Sequence, residues 1–369
     1  MAKVKAFDEK AAKKKRLERW ALQAAARDLL PDERVAVCMR RVIPGKKTVD
    51  ILFSERVKRA HYKNLIICGR VWICPIDAAK ITERRRAELA SGIDNNPDLR
   101  PVLVTFTLRH SMADKLPPLL DDLLNSYRRL KSGRSWKEFS EGEALVGSIR
   151  SLEGTHGFNG WHPHLHALFF FERRDVFDEN AVSSFLKDRW GAMLASNSRT
   201  ASYARGVDVR TAESDVAEYV AKFGHEPVDM KRPGKWTIER EMTKAPAKVA
   251  KGEKGRSPMQ LLADYTAGDK KAGELFKEYA AAFKGRNQLV WSRGLRDRLG
   301  LGKEETDEEV AKREDEAAHL LAEVTMPQWR VVLANDARGE LLEIASSGDR
   351  AAVDRFLLSI GCKSALASK

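Results

Sequence analysis

Residues 153–171 read EGTHGFNGWHPHLHALFFF, and the fold of the middle of the chain turns on how this stretch pairs. Asn159-Gly160 is the favoured dipeptide of a two-residue type I′ hairpin turn. Taken as that turn, it predicts strands around 146–155 and 162–171, with Glu153 opposite His166 and Thr155 opposite His164. Side chains alternate along a strand, so His164 and His166 project to one side, roughly 7 Å apart. Leu165, Ala167 and Phe169 then face the other way and anchor the strand in the core. Two imidazoles and one carboxylate on a shared face leave open coordination positions, which suits Mg²⁺ or Mn²⁺ polarising a phosphate. A slip of one residue would turn Glu153 to the wrong face. His162 shares that face but stands before Pro163 at the strand edge, in a secondary role. The bland alternative is a set of surface histidines held by hydrogen bonds.

Working outward, PVLVTFTLRH (101–110) alternates as a strand, and LPPLLDDLLNSYRRL carries a helix over roughly 114–131. A helix near 178–195, a short strand at 207–210 and a helix over 214–223 ended by Gly224 follow. Upstream, the β-branched runs VAVCM, VDILF and LIICGRVWICPI predict strands between Val35 and Ile76, and AAKITERRRAELA a helix. The order is α+β: an antiparallel central sheet with flanking helices, and helical additions at both ends. The expected organisation is a basic N-terminal helix (1–34), a catalytic domain (35–230) with a metal-binding subregion at 38–77, a basic linker (231–258), a helical extension (259–302) and a helical tail (303–369).

Composition narrows the partners. Lys and Arg number 66 against 53 Asp and Glu, a net charge of +13, as suits a protein that releases counterions from phosphates. A hydrophobic share of 43% excludes wholesale disorder. No run approaches the ~18 apolar residues of a membrane span and none resembles a signal peptide, so a cytoplasmic protein with no membrane partner is expected. Four cysteines, Cys38, Cys68, Cys74 and Cys362, then argue for free thiols or a metal site over a disulfide framework.

SDVAEYVAKFG (214–224) places Asp215, Tyr219 and Lys222 on one helical face, at i−4, i and i+3. A phenol, with an ordinary pKa of about 10, needs a nearby cation to become a nucleophile. Lys222 and the metal can supply one, and Asp215 is a candidate base. Tyr with Lys three residues on is also common in plain helices, so the pair gains weight only from the histidines upstream.

Together these blocks resemble the plasmid rolling-circle replication initiators of the HUH endonuclease superfamily. VLVTFTLRH resembles the first motif, WHPHLHALFFF the His-hydrophobic-His motif and EYVAKF the Tyr-x-x-Lys motif; CGRVWICPIDAAKI and KGRNQLVWSRGLRDRLG extend the likeness over roughly 35–300. The resemblance implies that His164 and His166 bind a divalent metal, that Tyr219 attacks the scissile phosphate and that Lys222 assists. The implied products are a 5′-phosphotyrosyl enzyme and a 3′-hydroxyl that primes synthesis. The implied partners are origin DNA, double- and single-stranded, with a host helicase and polymerase. A single motif tyrosine leaves termination to a second protomer, hence a homodimer, or to a water activated by Asp215, with Glu218 the weaker candidate. Relatives often carry CPxC where this chain has CPID, so Asp77 stands in for a cysteine. Cys38, Cys68, Cys74 and Asp77 make a candidate structural Zn²⁺ site, against the alternative of buried thiols. An HUH transposase or relaxase uses the same groups, although a relaxase usually places its tyrosine before the histidines. A non-catalytic, metal-stabilised DNA-binding regulator is the alternative outside nuclease chemistry, and a cupin-type metalloenzyme is more distant.

Overall fold

In the computed structural model the described residues are 9–211, 242, 255–313 and 317–363. The chain divides into two units, one built from 71–73 and 78–305, the other from 5–70, 74–77 and 306–369.

The first unit is organised on a five-stranded antiparallel sheet of order β6-β3-β5-β4-β7. Its strands are β3 (Leu99–Thr107), β4 (Leu145–Gly157), β5 (Gly160–Glu172), β6 (Val207–Thr211) and β7 (Leu289–Trp291). Both faces of β5 are covered along most of its length, which is why HALFFF reads as an apolar run. One face carries Leu165, Ala167 and Phe169 under α3 (Leu116–Leu130) and α5 (Glu179–Ala195). There Phe106 of β3 packs on Tyr127 and Trp190 with ring centroids 5.6 and 4.9 Å away. α3 is aimed by its Leu pattern: Leu116, Leu119, Leu120, Leu123 and Leu130 are buried on a single stripe.

The other face is split. At one end Leu103, Ile149, Leu168 and Phe170 form a core with Leu89 of α2 (Pro75–Asp94) and with Leu295 and Leu299 at α8 (Leu295–Arg298). At the end nearer the β4–β5 hairpin the same face carries Thr105, Thr107, Glu153, His164 and His166. The remaining helices of this unit are α4 (Arg134–Gly142), α6 (Pro258–Thr266) and α7 (Lys270–Phe283).

The second unit pairs β1 (Thr48–Ser54) with β2 (Arg59–Lys63) and with β8 (Ala318–Thr325), giving the order β2-β1-β8. Its core gathers Val49, Ile51, Tyr62, Val324, Trp329, Leu341 and Val353. The helices are α1 (Glu9–Leu29), α9 (Asp307–Lys312), α10 (Met326–Ala334), α11 (Arg338–Ala345) and α12 (Arg350–Ser359). The N- and C-terminal segments therefore share one core.

Three readings of the sequence are corrected. VAVCM and LIICGRVWICPI are not strands among the described residues: a 3₁₀ turn spans Arg34–Ala36, and the cysteine segments lie in turns. Their apolar residues are buried around a polar cluster instead of along a ladder. Within the helical tail, Ala318–Thr325 is a strand, because β1 offers it a backbone edge that a linear pattern cannot reveal. The hairpin register also differs from the type I′ expectation. Gly160 alone takes the left-handed conformation, φ +85°, and Asn159 is not among the positive-φ residues. A type I′ turn needs φ above zero at both central positions. The loop is therefore Phe158-Asn159, with Gly157 opposite Gly160 and Glu153 opposite His164. The shift amounts to two residues in pairing, so Glu153 keeps its face.

Candidate active site

The polar half of the sheet face builds a site from three adjacent strands. Across β5, His164 has Glu153 on one side and Thr107 on the other, while His166 has Ser151 and Thr105. Glu153 and His166 are each 3% exposed, so their polar atoms must find partners within the fold. They do: His166 Nε2 lies 3.1 Å from Glu153 Oε2, and His166 Nδ1 lies 3.0 Å from Thr105 Oγ1.

That trio has a useful ambivalence. A carboxylate only accepts, so Nε2–H donates to Glu153, while the Thr105 hydroxyl can accept from Nδ1 or donate to it, according to where the ring carries its proton. Were Nε2 to ligate a metal, Nδ1 would carry the proton and the same hydroxyl would accept it. A threonine serves both tautomers, and such outer partners fix the ring that binds a metal. Two imidazoles and a carboxylate, two of these side chains almost fully buried, are donor types that a divalent cation takes, but their ligand atoms are not gathered as closely as those of a closed metal site. The set is open: the His164 and His166 ring centroids are 5.9 Å apart.

A row of imidazoles continues toward the hairpin end. His162 stands 4.1 Å from His164, centroid to centroid, and His110 stands 4.6 Å from His162. His162 Nε2 is 3.1 Å from the Thr107 hydroxyl, and burial, with His110 alongside, lowers its pKa to about 4. His162 is consequently neutral at physiological pH. His110 Nδ1–H donates to the Asn159 carbonyl at 3.0 Å, tying the segment after β3 to the hairpin loop. His156, the fourth histidine of the cluster, points to the opposite face beside Trp161, and its backbone pairs with Arg256. Sequence reading missed Thr105, Thr107 and His110, although VTFTLRH did place both threonines at alternate positions.

The second unit holds a different centre. Cys38, Cys68, Cys74 and Asp77 are all buried, and one ligand atom from each lies within 4.8 Å of every other. Among the described residues it alone gathers three or more His, Cys, Asp or Glu ligand atoms that closely. Cys74 Sγ is 3.8 Å from Cys38 Sγ, and Asp77 Oδ2 is 3.3 Å from Cys38 Sγ and 3.0 Å from Cys68 Sγ. A tetrahedron with metal–sulfur bonds of about 2.3 Å has edges of about 3.8 Å, so the spacing fits a metal ion. Asp77 Oδ2 also accepts from the amides of Cys68 and Gly69, which fixes the carboxylate, while its Oδ1 is buried without a partner. Burial, with Cys74 nearby, pushes the Asp77 carboxyl up to about 6. The cluster can hold a metal ion. Three thiols and an acid, drawn together out of water, gain from a cation what they otherwise lose in desolvation.

Tyr219, Lys222, Asp215 and Glu218 lie outside the described residues. The structure thus brings together His164, His166 and Glu153 on one face, and Cys38, Cys68, Cys74 and Asp77 in one cluster.

These features describe an α+β protein with a polar, histidine-lined sheet face and a separate metal-competent cluster. The chain belongs to the replication protein family Rep_1, which matches residues 60–336. It is 30% identical to "Protein rep" of Streptomyces lividans over 309 aligned positions, covering 66% of each chain. It is also 33% identical over 131 positions to a protein named "Neomycin resistance protein" from Streptomyces cyanogenus, covering 28% of this chain and 30% of the relative. The chain thus spans just under two thirds of the first relative's length and under a third of the second's. No solved structure matches it. Among the described residues no helix is long and apolar enough to cross a membrane.

Proposed function

We propose that this replication protein initiates rolling-circle replication of a plasmid by cutting one strand of its origin through a tyrosine nucleophile. The observation that carries the reading is the polar face on which His166 meets Glu153 and Thr105, with His164 beside it, in a chain of the replication family. His164, His166 and Glu153 would hold Mg²⁺ or Mn²⁺. Bound there, the cation would polarise the scissile phosphate and offset the charge that builds on its oxygens.

In this reading the Tyr219 oxygen attacks phosphorus. The new bond joins tyrosine to the 5′ phosphate, and the bond to the 3′ oxygen breaks, that oxygen taking a proton from solvent to become a 3′-hydroxyl. Lys222 stabilises the phenolate, and the phenolic proton passes to Asp215 or to solvent. The ester bond retained in the adduct allows the strand to be rejoined when the round ends, by a water that Asp215 activates or by the tyrosine of a second protomer. These residues fall in the 35–230 interval, and the basic stretch 231–258 joins it to the extension that follows. The cysteine cluster is assigned a structural Zn²⁺. Origin DNA is the substrate, a host helicase and polymerase the cytoplasmic partners.

The test is incubation with supercoiled plasmid carrying the cognate origin and Mg²⁺ or Mn²⁺. A nicked circle with protein on its 5′ end is expected, and Tyr219→Phe should form no adduct. Undiminished nicking by that variant would overturn the nucleophile.

A further inference from the structure

Phe158 sits at the tip of the β4–β5 hairpin with 90% of its surface exposed. Single exposed apolar residues are ordinary, so exposure alone decides nothing. Its setting is unusual on three counts. First, tight turns favour Gly, Asn, Asp and Pro for backbone reasons, and a phenylalanine there meets no such need. Second, the base of the tip is packed and hydrogen-bonded against a neighbouring segment. A Cβ on Gly160 would stand 2.8 Å from the Ser111 carbonyl oxygen and 3.1 Å from Met112 Cα, so the hairpin lies directly against the segment following β3. His110 Nδ1–H clamps the Asn159 carbonyl from that same segment.

Third, the tip is joined to the end of the histidine row. The ring that clamps it is the first of the row His110, His162, His164, His166, with consecutive centroids 4.6, 4.1 and 5.9 Å apart. Met112, at 56%, is exposed on the clamping segment, and the Arg109 side chain there is exposed as well. An exposed aromatic ring on the hairpin and an exposed cation on the segment tied to it, near one end of a polar row that ends in two candidate metal ligands, supply what single-stranded DNA needs: a π-face for a base and a positive charge for its phosphate.

We propose that Phe158 is a stacking platform for an unpaired base, holding the single strand so that it runs along the histidine row. The inference rests on the nicking reading for where the strand leads, but not for the contact itself. Four residues of β5 separate Gly160 from His164, about 13 Å at the rise of a strand.

The experiment measures binding of a fluorescein-labelled, mixed-sequence single strand of about 20 nucleotides to the full chain by anisotropy in EDTA, with the corresponding duplex as control. Phe158→Ala should weaken single-strand binding about 5- to 150-fold, the worth of one aromatic stack, and leave duplex binding unchanged. Phe158→Trp should bind at least as well as wild type. Unchanged single-strand affinity in Phe158→Ala overturns the inference, as does failure of the wild type to bind the strand. If light scattering shows that Phe158→Ala dissolves a dimer while strand affinity stands, the occupant is a second copy and the inference is equally wrong. A wild type that binds the strand through Phe158 yet never forms a covalent adduct refutes the nicking chemistry alone.

Discussion

Gly160→Ala tests whether the hairpin is closed as described. The residue has φ +85°, and an alanine there pays the left-handed penalty of about 1–2 kcal/mol. The added Cβ meets the Ser111 carbonyl oxygen at 2.8 Å and Met112 Cα at 3.1 Å. Both are backbone atoms that cannot rotate away, so overpacking adds about 1–3 kcal/mol. The expected loss is about 2–5 kcal/mol, and at about 2–4 °C per kcal/mol for a unit of this size the melting midpoint falls by roughly 4–20 °C. Gly191 is the control: it lies in α5, its φ is ordinary and a Cβ there meets nothing within 4 Å. Gly191→Ala should stabilise by about 0.5–1 kcal/mol through helix propensity. Thermal melts of both variants beside wild type settle the matter. A loss under about 1 kcal/mol for Gly160→Ala would mean that no left-handed glycine packed on residues 111–112 closes the loop, and the register built on it would fall.

Thr105→Val removes the hydroxyl that orients His166, and Mn²⁺ affinity measured by calorimetry should weaken about 10- to 100-fold with little change in melting; unchanged affinity would exclude the orienting role. Metal analysis of purified protein should find one tightly held zinc, lost in Cys74→Ser together with several degrees of thermal stability. Burial, with Arg150 alongside, holds Lys131 down to about 8. The unfolded chain therefore binds more protons between about pH 8 and 10.5, and stability rises with pH across that window. Lys131→Met should flatten that rise and stabilise the protein at pH 7 by about 1–3 kcal/mol, read from urea midpoints. Arg34, bonded to Glu308 at 2.6 Å, holds that carboxyl down to about 2. The pair's contribution is present above about pH 4.5 and is lost as pH falls toward 2. Both side chains are partly exposed, so Glu308→Gln should cost about 1 kcal/mol or less at pH 7, and progressively less as pH falls toward and below 2.

Local pattern carried much of this protein. The alternation in β3, the Leu stripe of α3 and the period-2 spacing of His164 and His166 each follow from backbone geometry within a few residues, and each is legible without knowing what lies opposite. The same holds for the face that Glu153 shares with the histidines, because a shift of two residues in pairing preserves it. The likeness of three short motifs to replication initiators was legible too, and the family match agrees with it.

Tertiary structure decided what depends on partners distant in the chain. Asn-Gly invites a type I′ turn, but the approach of Gly160 to Ser111 and Met112 accompanies a different loop, and a window of sequence does not contain that neighbour. Ala318–Thr325 became a strand because β1, some 270 residues earlier, offered a backbone edge. Thr105 took on its role only when β3 lay beside β5. Cys38, Cys68, Cys74 and Asp77 were recognisable as ligand types, but their approach to within 4.8 Å needed the chain to fold back on itself. Sequence on its own determined which side chains share a face, since that is a property of one strand or helix; only the folded chain decided which faces meet, since that is set by packing between segments far apart in sequence.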